Sequence, residues 1–553
     1  MRILVLSDSH RDKISLMMAV KLHREADVIV FLGDGEEDFQ CEKMSSLLSL
    51  KEVHSVRGNC DVYSSLPSEE TFACGGKTVF ILHGHTRGVK HGTEELLCAA
   101  KEKCADIVLY GHTHIPKSEY IDNMYVMCPG SIRDGSYGIV DIKRITEYFA
   151  IPRIYPVSFK RRKGLLELLI KNVKIIGENE ITDGFVRTEN GKITEVGKAA
   201  REAENEEVID GNGKYLSPGF IDLHVHGGGG YSAMGTPEDI VKMATAHMNY
   251  GTTSILPTTL AAPIAQLKTA LLNIKEAKRI CKTSNILGAH LEGPFLSPEM
   301  CGAQSPENIL VPSQNEYESL LDLWDGLKIM GAAPETDGGM VLGEELKKRG
   351  IVASIAHSSG DYDTAKEAIK HGYSDVTHLY NACTSCYKRG IFRRAGTVEA
   401  ALTHDELTAQ VIADLCHLPL GVLKLIYRCK GADKMYLITD GLEYSATETK
   451  EGTLVMQKNG VPAIYEDGVM KLADRSCIAG SVATTDRLVR NMYKRVGVPL
   501  CDAVKMASLT PARVIGIDSK KGKIEKDFDA DLIMFDDDIN ISFVMVGGSV
   551  VKA

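Results

Sequence analysis

The chain has 553 residues, 44% of them hydrophobic and 25% charged, with a formal net charge of -10. Single cores stop growing near roughly 250–300 residues, so two or more domains are expected. The acidic balance offers no basic face for a phosphate backbone, and no apolar run approaches the roughly 18–20 residues that cross a bilayer, so nucleic acid and membrane are excluded as expected partners. The sequence opens on MRILVL and turns polar at once, so no signal peptide is expected. A cytoplasmic protein follows from that reading, with its 14 cysteines reduced.

In residues 1–150 short apolar runs at 3–6, 28–32, 53–56, 79–82 and 107–110 alternate with polar, helix-compatible stretches. Each run is followed by a metal-ligating type: Asp8 and His10, then Asp34, Asn59, His83, and finally His112 and His114. An open α/β sheet gathers its ligands just past the carboxyl ends of its strands. Any one of these residues is as readily a plain loop residue, but five strand ends supplying seven such groups are hard to assign to chance. Mixed carboxylate and imidazole donors suit Mn, Fe, Zn or Ni rather than Ca.

The motifs DSH at 8–10, GDG at 33–35, GNCD at 58–61, HGH at 83–85 and GHTH at 111–114 resemble the calcineurin-like metallophosphoesterases, and most nearly their small bacterial phosphodiesterase branch. The resemblance implies that Asp8, His10 and His114 hold one metal, that Asn59, His83 and His112 hold the other, and that Asp34 bridges them. His85 is the weaker candidate of its pair. Larger members carry His where this chain has Cys60, so protonation of a leaving group is weakened and diesters with good leaving groups are the expected substrates. Cys60 reads equally well as a small packing residue.

The stretch 151–164, with prolines and the basic run 160–163, reads as a linker, solvated rather than a nucleic-acid patch. Residues 165–215 and 518–553 are rich in β-branched alternation and are expected to pair into one small β domain. Between them, 216–517 repeats strand then helix, with strands near 219–223, 252–256, 286–291, 328–332, 352–356, 375–377, 410–413 and 435–438, as a (β/α)8 TIM barrel requires. The whole fold class is α/β: a metallophosphoesterase α/β sandwich, then the (β/α)8 TIM barrel with a small flanking β-sandwich domain. His224 and His226, Glu292, His357, His378, His417 and Asp440 follow the barrel strands, and the His-x-His spacing puts both imidazoles on one face.

PGFIDLHVHG at 218–227, HLEGPF at 290–295, AHS at 356–358, THLYNA at 377–382, ITDG at 438–441 and SLTPAR at 508–513 resemble the amidohydrolase superfamily, and within it the N-acetylglucosamine-6-phosphate deacetylases. The resemblance implies one metal at His224, His226 and Asp440 and another at His357 and His378, with Glu292 shared or bound to the second alone. It implies Asp440 as the catalytic acid and base, substrate contacts from Ala303, Asn381, Ala382, Arg393 and His417, and a homodimer. Arg393 is the natural phosphate partner, Arg394 its alternative, and a surface salt bridge the plain reading of either. Cys383 and the sequence around Leu415 depart from the family, which leaves the choice of amino sugar open. Cys383 and Cys386 read as packing residues, and the run 227–230 as room for substrate.

A bifunctional hydrolase is expected, with two divalent metal ions per domain and small-molecule substrates: an amino-sugar phosphate and a phosphodiester. The alternatives keep a noncatalytic metal-binding first domain, or a barrel acting on another N-acetylamino-sugar phosphate or another amide.

Overall fold

The computed structural model describes all residues except 24–25, 49–50, 91, 143–152, 159–167, 202–205, 457–459 and 553. The chain divides into two compact units, Met1–Gly164 and Leu165–Ala553.

The first unit is a pair of five-stranded sheets. One runs Arg153–Ser158, Ser136–Asp141, Arg2–Leu6, Val28–Phe31, Glu52–Ser55, and its last three strands are parallel. The other runs Glu69–Cys74, Lys77–Leu82, Ile107–Tyr110, Met124–Cys128, Lys117–Ile121. Strand alternation divides the apolar residues: Ile3, Val5, Val28 and Val30 share a core with Val79, Ile81, Ile107 and Leu109 of the other sheet. Leu4, Leu6, Ile29 and Phe31 pack instead with Leu16 and Ala19 of the helix Lys13–Leu22. Phe80, Leu82 and Val108 take Leu96, Ala99 and Ala100 of the helix Glu94–Glu102. The layers are therefore helix, sheet, sheet, helix, each sheet burying both faces. The stretch expected as a linker is in part an edge strand, Arg153–Ser158 pairing antiparallel with Ser136–Asp141. The strand includes a proline, which an edge position tolerates. The rest of 151–164 lies outside the described residues.

The second unit carries eight parallel strands in sequence order: Phe220–Val225, Thr252–Thr259, Ala289–Glu292, Leu327–Ala332, Val352–Ile355, Tyr373–Val376, Thr408–Val411 and Met435–Leu437. A parallel bridge from Val225 to Gly441 brings the first and last strands together, which makes the barrel nearly closed. Helix starts follow their sequence signals: Thr236 accepts from Asp239 N while the Asp239 carboxylate accepts from Thr236 N, a capping box ahead of Pro237 in the first helix position. The two segments that flank the barrel in the second unit meet in one eight-stranded sheet, where Tyr215–Pro218 pairs antiparallel with Leu532–Phe535. Sequence reading missed an antiparallel four-stranded meander, Leu454–Met456, Pro462–Glu466, Val469–Leu472 and Ile478–Gly480, inserted after the eighth barrel strand. Among the described residues no helix is long and apolar enough to cross a membrane.

One buried cation opposes the fold. Lys430 is 6% exposed and its ammonium donates to His404 O at 2.7 Å, and burial pushes it down to about 8. Below that pH both folded and unfolded chains carry the charge, so folding bears the full desolvation cost; above it the folded lysine loses its proton first and stability rises with pH. Lys430→Met is expected to raise the second unit's thermal midpoint at pH 7 by roughly 2–4 °C, the shift that about 1 kcal/mol produces in a domain of this size. Calorimetry at pH 7 and above pH 10 checks it, since the gain should fade at the higher pH.

Candidate functional sites at two sets of strand ends

In the first unit every residue expected from the sequence reaches one cluster, while His85, the weaker candidate of its pair, has its ring 5.4 Å from that of His83 and joins none of the candidate metal groups among the described residues. Asp8, His10 and His114 form one group able to hold a metal ion, and Asp34, His83 and His112 another. Asp8 Oδ1 lies 3.1 Å from His114 Nε2 and 3.8 Å from His10 Nε2. Asp34 Oδ2 lies 3.4 Å from His83 Nε2 and 4.0 Å from His10 Nε2, a position between the two groups. Asn59 Oδ1 is 3.2 Å from His83 Nε2. The approach of the two loops depends on glycine: a Cβ on Gly58 would meet Asp34 Oδ1 at 2.0 Å, and one on Gly33, at φ +93°, would meet Gly58 N at 2.3 Å.

Burial alone would raise Asp34, but His83 and the Cys60 N–H hold its carboxyl well below the usual range. Burial and the His83 and Lys90 charges push His112 down to about 4, so it stays a neutral donor. Cys60 is exposed, with its sulfur in one group with His10 and Asp34. Burial of its sulfur and the Asp34 carboxylate push the thiol up to about 11, so it keeps its proton at neutral pH even more fully than a free thiol at about 8.5 does. It is a weak acid in either case.

In the second unit two groups share Glu292: His224 and His226 on one side, His357 and His378 on the other. Glu292 Oε1 is 2.9 Å from His378 Nε2, 3.2 Å from His357 Nε2 and 3.6 Å from His224 Nε2, and Oε2 is 3.3 Å from His226 Nε2. Asp440 Oδ1 lies 3.1 Å from His226 Nε2 and 3.4 Å from His224 Nε2. Burial works against an ionised Asp440, but the His226 hydrogen bond and the nearby imidazoles hold its carboxyl below the usual range.

These donors fit metal ions on a local test. The Nδ1 atoms of His83, His226, His357 and His378 each face a backbone oxygen, of Leu32, Thr258, Met300 and Asn381, which can only accept. Each Nδ1 therefore carries the ring proton and each neutral ring turns an Nε2 lone pair into its cluster. His224 Nε2 and His226 Nε2 are 3.1 Å apart and His357 Nε2 and His378 Nε2 are 3.2 Å apart, so two neutral rings with Nδ1 protonated would face each other through lone pairs, an arrangement that a shared cation makes favourable. Burial alone would lower His226, yet Asp440 and Glu292 push it up to about 10, so the carboxylates draw positive charge to this point. Asp8 Oδ1 is buried without a hydrogen-bond partner, consistent with the same demand in the first unit. Asp8, His10, Asp34, His112, His114, His357, His378 and Asp440 all sit at positive φ, a conformation that costs a non-glycine residue energy and that collects at functional sites.

A cavity of about 370 Å³ opens over the second cluster, lined by His226, Glu292, His357, His378 and Asp440 and by Ala303, Asn381, Ala382 and His417. His417 is held by Asp414, whose Oδ2 is 2.8 Å from His417 Nδ1. Arg393, the remaining expected contact, is not in the lining; it lies with Arg394 in the exposed strand Phe392–Arg394 of a short hairpin. Gly227 and Gly228 do not line the cavity either: a Cβ on Gly228 would meet His247 Nε2 at 2.3 Å, so the run serves close packing. Cys383 packs partly buried against the barrel core and Cys386 is exposed.

Sequence reading missed residues that hold the cluster from behind. Gln304 donates to Glu292 Oε2 at 2.6 Å and accepts from Ala261 N at 2.9 Å. Asp61 accepts from the backbone N–H groups of Asp34, Gly35, Glu36 and Gly58 at 2.8–3.1 Å, binding two ligand-bearing loops together. The meander contributes 477–480 to the cavity. For Asp61 the signal was its place in GNCD; for the meander there was none beyond the length of the insertion.

Residues 1–144 match the calcineurin-like phosphoesterase superfamily domain, and residues 215–551 match the amidohydrolase family. The N-acetylglucosamine-6-phosphate deacetylase of Bacillus subtilis (strain 168) is 32% identical over 395 residues, covering 69% of this chain and 96% of that protein. The N-acetylgalactosamine-6-phosphate deacetylase of Escherichia coli O157:H7 is 29% identical over 344 residues, covering 62% of this chain and 89% of that one. Among solved structures, N-acetylglucosamine-6-phosphate deacetylase from Pasteurella multocida superposes with a TM-score of 0.66 at 28% identity, covering 70% of this chain and all of that one. The strand-end clusters, the barrel and these matches agree: the chain belongs to the amidohydrolase family and carries a calcineurin-like phosphoesterase domain ahead of it.

Proposed function

We propose that the second unit hydrolyses the acetamide of N-acetylglucosamine 6-phosphate to glucosamine 6-phosphate and acetate, and that the first unit hydrolyses a phosphodiester. The observation that carries the first part is the convergence of Asp440, Glu292 and four imidazoles on one end of the barrel, in a chain that spans nearly the full length of deacetylase relatives. Two divalent ions per unit are assigned, in the first unit at Asp8, His10 and His114 and at Asn59, His83 and His112 with Asp34 between, and in the second at His224, His226 and Asp440 and at His357 and His378 with Glu292 between. When bound, such ions supply Lewis acidity toward the acetamide carbonyl, the phosphoryl oxygens and the attacking water.

The chain's own residues do the rest. Asp440 Oδ1, kept ionised among the imidazoles, takes a proton from the attacking water and passes it to the departing amine nitrogen as the C–N bond breaks. Gln304 and the neighbouring imidazoles fix the Glu292 carboxylate, so the cluster keeps its geometry as charge moves. Asn381, Ala382, Ala303 and His417 face the sugar. The lining has no lysine or arginine, so the phosphate is assigned to Arg393 on the exposed hairpin, where its guanidinium is free to bind two phosphoryl oxygens. In the first unit the protonated Cys60 is too weak an acid to help a poor leaving group, which favours diesters.

The 29% identity to a galactosamine-series deacetylase supports a second reading of the sugar, the C4 epimer. Comparing kcat/KM for the two 6-phosphates and for phosphate-free N-acetylglucosamine decides it. The gluco 6-phosphate is expected to lead, with the phosphate-free sugar roughly 10–100-fold poorer, the effect of losing hydrogen bonds to a charged group. A leading galacto epimer would replace the first reading, and equal turnover without phosphate would remove the assignment of Arg393.

A further inference from the structure

Beneath the second cluster, among strands where apolar layers are the rule, lies a buried carboxylate that none of the chemistry above uses. Asp375 has no exposed surface, and it accepts four side-chain hydrogen bonds: from Thr408 Oγ1 at 2.6 Å, Gln410 Nε2 at 2.7 Å, Ser354 Oγ at 2.8 Å and Tyr436 OH at 3.0 Å. The other end of the Gln410 amide, Oε1, lies 2.8 Å from His224 Nδ1. Gln410, Tyr436, Ser354 and His224 are all fully buried. His224 differs here from His226, His357 and His378, whose Nδ1 atoms meet backbone oxygens: its partner is a side-chain amide that could present either end.

We propose that Asp375 is a positioning residue that sets the tautomer of His224 through Gln410. An ionised carboxylate only accepts, so it holds the NH2 end of Gln410 and forces the carbonyl end toward His224. That carbonyl can only accept, so His224 Nδ1 must carry the ring proton and Nε2 must offer its lone pair to the cluster. With the amide reversed, its NH2 would face Nδ1, the proton would move to Nε2, and His224 could no longer bind a cation. Burial pushes the Asp375 carboxyl up, and the hydrogen bonds from Thr408, Gln410, Ser354 and Tyr436 oppose that shift and favour the accepting carboxylate.

The inference rests on reading His224 as a metal ligand, and the test separates the two. Zn(II) alone is titrated into the full chain against a chromogenic chelator, with melting recorded in parallel. In Asp375→Asn the new amide can donate to Gln410 Oε1, which permits the reversal, and one class of Zn(II) sites is expected to weaken about 10–100-fold, as loss of an outer partner of a metal-bound His does. Gln410→Met, which removes the relay by another route should Asp375→Asn fail to fold, is expected to weaken the same class. The double variant Asp375→Asn/Gln410→Glu restores an acceptor-only group facing His224 and a donor behind it, so binding should return to within about threefold of the original. Unchanged affinity in Asp375→Asn and Gln410→Met, or a double variant no better than the single, overturns the proposal. If His224→Ala leaves the titration unchanged, the ligand reading itself has failed; if His224→Ala loses a site and Asp375→Asn does not, only the relay has.

Discussion

Asp440→Asn is expected to lower kcat for acetate release from N-acetylglucosamine 6-phosphate by roughly 10³-fold, the upper range for a positioned acid and base, with KM changed by no more than about threefold. The asparagine is nearly isosteric, so the cavity that receives the sugar keeps its shape. What is lost is the proton carrier, because an amide neither takes the proton of the attacking water nor hands one to the amine. The same change removes the carboxylate 3.1 Å from His226 Nε2 that pushes this imidazole up. A loss confined to KM, with kcat intact, would mean that Asp440 binds substrate and carries no proton. Phosphodiester turnover by the same preparation serves as the internal control and should not change.

Asp34→Asn has the complementary effect. Asp34 faces both His83 and His10, so one substitution disturbs both halves of the first cluster, and turnover of bis(4-nitrophenyl) phosphate with Mn(II) should fall by roughly 10³-fold while acetate release is unaffected. The asparagine is expected to fold, since the Asp34 backbone N–H remains held by Asp61 and an amide oxygen can still accept from Cys60 N. Diester turnover that persists without Asp34 would locate the activity elsewhere. No turnover in the original chain would leave the first unit as a metal-binding module attached to a deacetylase.

The reason so much of both sites was legible lies in parallel α/β architecture. Ligands there collect at strand carboxyl ends, so a strand found by its apolar run points to the candidate site that follows it; Asp8 after Arg2–Leu6 and Glu292 at the end of Ala289–Glu292 were expected as candidates in that way, and the fold brings each into a cluster able to hold an ion. The flanking β sheet was legible for a similar reason, as alternating runs at the two ends of one region. What the sequence hid depends on pairing across distance. Asp375 and Gln410 looked like ordinary strand residues until Thr408–Val411 was laid beside Tyr373–Val376, although a charged residue inside a barrel strand was a signal that could have been used. Arg393 was expected at the phosphate on the strength of its guanidinium; that it lies on the exposed strand of a short hairpin outside the cavity lining, with Gly390 at φ +64° in the turn, depends on a strand pairing that no motif shows. The strand Arg153–Ser158 was obscured by its proline and by the basic run after it.

Two binuclear hydrolytic centres in one chain require two separate pairs of metal ions, and metal content tests this most directly. Chain purified with Mn(II) or Zn(II) and freed of loosely bound ions should hold about four divalent ions, two for each cluster, as binuclear hydrolase sites do. About two of them should disappear in Asp34→Asn and the other two remain. A chain that holds ions in only one of its units, or loses none when Asp34 is replaced, would contradict it.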